Sequence, residues 1–203
     1  MMIFWKAGLV VLSVPKTGTH AWQAALADKA DIVLRHPQAL KHMPARRFRR
    51  EFLPILDPKR ERNLSMLAVI RDPVDWLGSW YRYRSRPQLD GDPKSTAGID
   101  FDAFVAGYLS DTPPAWAALG SQARFVSNRQ GKVIVQHLFA YEAPQTLRAF
   151  LSDRLGLDIP DPPRLNVSPP GDLTLSDKLR AALQDRCAAD FALHAALRPG
   201  QSA

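Results

Sequence analysis

The sequence predicts an α/β fold with a central, mainly parallel sheet flanked by helices. Two observations carry this. Short apolar runs rich in β-branched residues alternate with longer segments of helical period. Those runs are apolar on both faces, as strands covered by helices are. A chain of 203 residues suits a single domain over residues 1–203.

Leu9 to Val14 reads as the first strand, bounded by Gly8 and Pro15. From Thr19 or His20 to Asp28 the pattern is helical, with Trp22, Ala25 and Leu26 on one side. Asp31 to Arg35 is a second short strand. Pro44 to Leu56 is an amphipathic helix, Phe48, Phe52 and Ile55 on its apolar face and Arg46 and Arg50 pointing away. Leu64 to Ile70 is a buried strand ending at Arg71. Asp72 caps the next helix, Pro73 is its first residue, and Asp75 is a further acid of its first turn; Trp76, Leu77, Trp80 and Tyr81 follow. Pro87 to Gly98 has the composition of a mobile loop. A helix over Asp100–Leu109, a strand over Lys132–Leu138 and a helix over Tyr141–Leu155 come next, the last with Leu147, Phe150 and Leu151 as its stripe. Pro160 to Pro170 is extended, and Leu175 to Leu197 forms a long final helix that contains Cys187.

Hydrophobic residues make up 46% and charged residues 23%, the balance of an ordinary globular protein. The net charge of +7 points to an anionic partner without choosing among nucleic acid, membrane surface, nucleotide and acidic glycan. Cys187 is the one cysteine, which excludes an intramolecular disulfide and a cysteine zinc site. No apolar run has the length of a membrane span. The Gly8–Val14 run leads into a Lys- and Gly-containing loop rather than a cleavage site, so a first strand and a cytoplasmic location are expected.

Pro15-Lys16-Thr17-Gly18-Thr19-His20 joins a strand to a helix. That arrangement holds phosphate: the first helical N–H groups point at the anion, and the helix dipole favours negative charge there. Lys16 adds a point charge, Gly18 permits close backbone approach, and Thr17 and Thr19 add hydroxyls. The Lys precedes the single Gly, unlike the nucleoside-triphosphate loop, where the Lys follows the Gly-rich stretch. Ala68 to Tyr81 repeats the design: a strand, a terminal Arg71, then a capped helix with Ser79 about two turns beyond the cap.

Together these segments resemble the family of sulfotransferases that use 3′-phosphoadenosine 5′-phosphosulfate (PAPS). That family's first motif, Pro-Lys-Ser/Thr-Gly-Thr-Thr, cradles the 5′-phosphosulfate. Its second places an Arg at a strand end and a Ser eight residues later, both on the 3′-phosphate; Arg71 and Ser79 have that spacing. The resemblance implies a P-loop-containing nucleotide-binding fold and PAPS as cosubstrate, held by Lys16, Thr17, Gly18, Thr19, His20, Arg71 and Ser79 with no metal. Arg129-Gln130-Gly131-Lys132, Tyr141-Glu142, Leu155-Gly156-Leu157 and Asn166-Val167-Ser168 extend it toward the Golgi-like, carbohydrate-modifying branch. His20 departs from the pattern by replacing a Thr. Trp22 lies one residue later than the adenine-stacking Trp of cytosolic members, about 100° around the helix, and so belongs to the core.

The implied reaction moves a sulfuryl group to an acceptor hydroxyl or amine on a glycan, lipid or small molecule. Lys16 is the stabiliser of the leaving phosphate. A histidine suits the general base; of His20, His36, His42, His137 and His194, the expectation falls on His42, with His36 and Glu51 behind it. His137 and His194 are expected to pack, and Asp75 to serve its helix cap. The basic stretch Lys41, Arg46, Arg47, Arg49, Arg50, Lys59, Arg60, Arg62 is an acceptor surface or a solvated face, with Arg47 paired to Glu51 at helical spacing. A small-molecule kinase, a nucleic-acid-binding module and a PAPS-binding homologue without turnover are the competing classes. The loop order disfavours the kinase, and no recognised nucleic-acid motif is present.

Overall fold

A computed structural model describes residues 1–59, 61, 63–163 and 171–197. Strands β1 (Met2–Phe4), β2 (Leu9–Val11), β3 (Ile32–Val33), β4 (Ser65–Ile70) and β5 (His137–Ala140) form one sheet in the order β3-β1-β2-β4-β5. β2, β4 and β5 run parallel, whereas β1 is antiparallel to both β2 and β3. The sheet is therefore mixed, not mainly parallel. The reason is local: Trp5 to Gly8 is too short to hold a crossover helix, so the chain can only turn back, with Gly8 at φ 61°. Strand β1, only three residues long, has no periodicity to read.

Side chains alternate across the sheet as the pleat requires. Val10, Met66, Ala68 and Ile70 face one way, and Leu9, Val11, Leu67 and Val69 the other. Helices α1 (Thr19–Leu26) and α8 (Pro144–Leu155) cover the second face through Trp22, Leu26, Leu147 and Leu151. Trp22 is thus core, as its displaced position predicts.

The first face is covered by α2 (Gln38–Lys41), α3 (Ala45–Arg47), a π-helical turn Phe48–Phe52, α4 (Leu53–Leu56) and α7 (Gln122–Val126). The π turn corrects the expected stripe. One extra residue per turn rotates the following register, so Leu53 and Leu56 pack inward and Ile55 is 73% exposed. Phe48 and Phe52 hold the inner face, ring centroids 6.0 Å apart.

A third cluster packs α5 (Pro73–Arg84) and α6 (Phe101–Leu109) against α9 (Asp177–Arg186). The oxygen of Asp72 accepts from the N–H groups of Val74 and Asp75, capping α5; Asp100 caps α6 through Ala103 N–H. The Pro87–Gly98 loop is tied to α5, since the Thr96 hydroxyl donates to the Tyr81 carbonyl at 2.9 Å.

Two further expectations shift. The strand expected over Lys132–Leu138 joins the sheet only from His137, because Val133 instead bridges back to Ser127. The long final helix is two helices, α9 and α10 (Ala188–Ala195), broken at Cys187. The break turns buried Asp190 inward, where it accepts from Ala123 N–H and the Ser121 hydroxyl. Of the Pro160–Pro170 stretch, residues 164–170, with Asn166-Val167-Ser168, lie outside the described residues, as do Arg60 and Arg62. Among the described residues no helix is long and apolar enough to cross a membrane.

The π-turn register makes a direct prediction. Phe48→Ala should destabilise by about 3–5 kcal/mol in urea unfolding, and Ile55→Ala by less than about 0.5 kcal/mol. Comparable losses from the two would contradict the rotated stripe.

Candidate functional site

Three parallel strands end side by side, and the residues just beyond them meet. This is where open α/β sheets place ligands, outside the carboxyl ends of the strands. β2 leads into Pro15–Gly18, β4 into Arg71 and Asp72, and β5 into Tyr141 and Glu142.

Gly18 is the N-cap of α1 with φ 72°, in the left-handed region. The backbone angle calls for glycine, and a Cβ there would sit 3.2 Å from the Tyr141 ring, which would have to give by a few tenths of an ångström. Lys16 also has positive φ, 66°. The buried Thr17 hydroxyl donates to the Val14 carbonyl at 2.9 Å, so its proton serves the loop itself. Thr19 opens α1 beside it.

Arg71 fastens this loop. Its guanidinium donates from Nε to Asp75 at 2.7 Å and from Nη1 to the Lys16 carbonyl at 3.2 Å, and lies 4.3 Å from the Tyr141 ring centre. Asp75 is therefore the partner of Arg71, whereas Asp72 does the capping. Arg71's own N–H and carbonyl are both bonded by the buried Gln122 side chain. Trp76 Nε1 donates to the Pro15 carbonyl at 2.9 Å, tying α5 to the loop. Ser79, buried on α5, follows Asp75 by one turn, on the side of the helix that carries the Arg71 pair.

The Lys16 ammonium lies 4.4 Å from the Tyr83 ring centre and 5.9 Å from that of Trp80. Burial, then repulsion from Arg86, Arg71 and Arg82, lowers its pKa from 10.5 to about 8. Trp80 Nε1 is buried without a hydrogen-bond partner.

On the other side of the loop, Lys41 Nζ is 2.7 Å from Nε2 of His20, and Nδ1 of His42 is 2.7 Å from the Ser13 carbonyl oxygen. A carbonyl only accepts, so His42 donates through Nδ1–H and keeps its lone pair on Nε2. Burial, with Lys41 adding to it, holds the pKa of His42 below the usual histidine value, though the Ser13 bond opposes this. His20 is lowered by burial, Lys41 and Lys16.

The structure thus brings Lys16, Gly18 and Arg71 into one contact set, with His20 and His42 on its flank. His137 packs against Phe150 with the rings tilted, and His194 pairs with Glu142 at 2.9 Å, both packed as expected. Glu51 pairs with Arg47 and Arg50, so its charge is committed on the surface. Sequence reasoning missed Arg82, Arg86, Tyr83, Trp80, Tyr141 and Gln122 as site residues. Arg82, Tyr83 and Arg86 lie three, four and seven residues beyond Ser79 on one helix and its exit, and Trp80 three before Tyr83, which is the signal that was there to read. Tyr141 and Gln122 have no such local signal. Comparison with protein-family models, with curated proteins and with solved structures found no match.

Two outcomes test this geometry. Gly18→Ala should cost about 1–2 kcal/mol from the left-handed backbone alone, seen as a lower urea midpoint. Lys16 should titrate near pH 8 by NMR of its side chain. Arg82→Gln and Arg86→Gln should each raise that value, and an unmoved titration would contradict the mutual repulsion.

Proposed function

We propose that this chain is a PAPS-dependent sulfotransferase, moving a sulfuryl group to an acceptor hydroxyl or amine. The observation that carries the reading is the meeting of Lys16 and Arg71 on the loop at the ends of three parallel strands, Arg71 donating to the Lys16 carbonyl and Arg86 lying on the same Tyr83 ring as the Lys16 ammonium. Burial first, then Arg86, Arg71 and Arg82, lower the Lys16 pKa to about 8. Cations held together against their repulsion are organised for a multiply charged anion. The donor set fits a nucleotide with two separated phosphate groups. Lys16, the loop N–H groups and Thr19 serve the 5′ side; Arg71 and Ser79, on the α5 side, serve the 3′-phosphate. PAPS when bound supplies an activated sulfuryl group, and its S–O bond to the 5′-phosphate is the one that breaks.

The chain's own groups supply position and charge. At neutral pH Lys16 is mostly protonated and neutralises charge on the leaving oxygen. Arg71 holds the Lys16 carbonyl, so the loop and the second anion site are one rigid unit. His42, neutral with its lone pair on Nε2, takes the acceptor proton.

Calorimetry with adenosine 3′,5′-bisphosphate should show binding without metal, and weaker binding of adenosine monophosphate and of ATP with Mg²⁺. Arg71→Ala should weaken the bisphosphate by about 10–100-fold, the scale of a charged hydrogen bond. Equal binding of the monophosphate would sink the 3′-phosphate assignment, and a preference for ATP with Mg²⁺ would favour a kinase. The pH dependence has a definite sign. Lys16 loses its charge as pH rises through about 8, and a bound anion raises its pKa, so affinity should be level below that pH and fall above it. His42→Ala should lower turnover and leave bisphosphate affinity nearly intact.

A further inference from the structure

We infer that Lys41 is a positioning residue: its ammonium occupies Nε2 of His20 and so fixes that imidazole as an N–H donor through Nδ1, beside the loop and opposite in role to His42. The geometry is 2.7 Å from Lys41 Nζ to His20 Nε2, with Lys41 itself only 4% exposed. An ammonium has donors and no lone pair. It can approach Nε2 this closely only as donor, so Nε2 carries the lone pair and Nδ1 carries the proton. A protonated His20 would set two like charges in contact. The ring is therefore held neutral.

His42 has the same tautomer for a different reason, since the Ser13 carbonyl takes its Nδ1–H. The partners occupy opposite nitrogens in the two rings. His20 is left presenting an N–H donor, and His42 is left presenting a lone pair. Two neighbouring histidines of one tautomer thus offer one donor and one acceptor. The titratable groups acting on His20 are Lys41 and Lys16; those acting on His42 are Lys41, His20 and the α-amino group of Met1. Among the described residues no carboxylate contributes to the shifts of His20, Lys41 or His42. This cluster is built to remain partly neutral beside an anion, not to be paired.

The ligand is set by the chemistry. An N–H donor at this point suits a non-bridging oxygen of a sulfuryl or phosphoryl group, in place of the hydroxyl that a threonine would bring. That role of His20 rests on the proposed activity, whereas its tautomer does not.

Long-range proton–nitrogen NMR of the imidazoles in the full chain at neutral pH reads the tautomers, with inorganic sulfate as titrant. Both His20 and His42 should be Nδ1-protonated in the wild type, and sulfate should shift the His20 Nδ1 signal. In Lys41→Met, His20 should become a tautomer mixture with its titration moved up toward the ordinary range, and sulfate should bind about fivefold more weakly, the scale of one hydrogen bond. Lys41→Arg should keep the wild-type tautomer, and His42 should stay Nδ1-protonated throughout, its titration moving up in Lys41→Met. An Nε2-protonated His20 in the wild type overturns the inference whether or not the Lys41→Met variant folds; unaltered His20 signals in a folded Lys41→Met do so too. Failure of the bisphosphate to bind while His20 behaves as described would overturn the sulfotransferase reading alone.

Discussion

The guanidinium of Arg71 is the joint on which the site depends. It stands at the end of β4 and reaches across to the Lys16 carbonyl, forward to Asp75 on α5, and sideways onto the Tyr141 ring at the end of β5. One side chain thereby connects the segments at the carboxyl ends of three neighbouring strands. Its planar fork of donors makes this possible; a lysine has the charge but not the directions. The position of Arg71 is in turn set through its backbone by Gln122, and α7 is held by Asp190 from α10. A chain of hydrogen bonds runs from the last helix to the loop, each of its buried polar groups finding a partner as burial demands.

This organisation works against stability locally. Arg86, Arg71 and Arg82 each repel the Lys16 charge, and Asp75 pairs with Arg71. Lys41 is buried against a histidine rather than an acid. Such arrangements persist where the surrounding structure over-determines them, and perturbed ionisable groups of this kind concentrate at functional sites. Here the surroundings are the alternating faces of β2 and β4, packed on both sides.

The legible features were those written in local chemistry. Asp72 and Pro73 announce a helix start because a carboxylate caps and a proline has no N–H to lose, and α5 begins there. Gly18 announces a tight strand-to-helix junction. Trp22 is placed in the core by its angle on the helix. What failed was non-local or register-dependent. Ile55 has the spacing of an inward residue on an α-helix, and the π turn before it rotates it out. Lys132 to Val135 has strand composition, yet pairs back on Ser127 before the sheet begins. Asp75 was a first-turn acid by position, and only the approach of Arg71 gives it a partner.

By itself the sequence determined the alternation of strands and helices, the strand–loop–helix junction at Lys16 to Thr19, and the second junction at Arg71, because caps, glycine angles and apolar runs act within a few residues. Only the tertiary structure decided that the sheet is mixed, that Tyr141 and Gln122 stand against Arg71, and that the free nitrogens of His20 and His42 differ in kind. The mixed sheet follows from the short β1–β2 turn, whose three-residue strand has no pattern to read; the other facts depend on contacts between residues 21 to 123 positions apart, and no local pattern records which distant side chain fills which space.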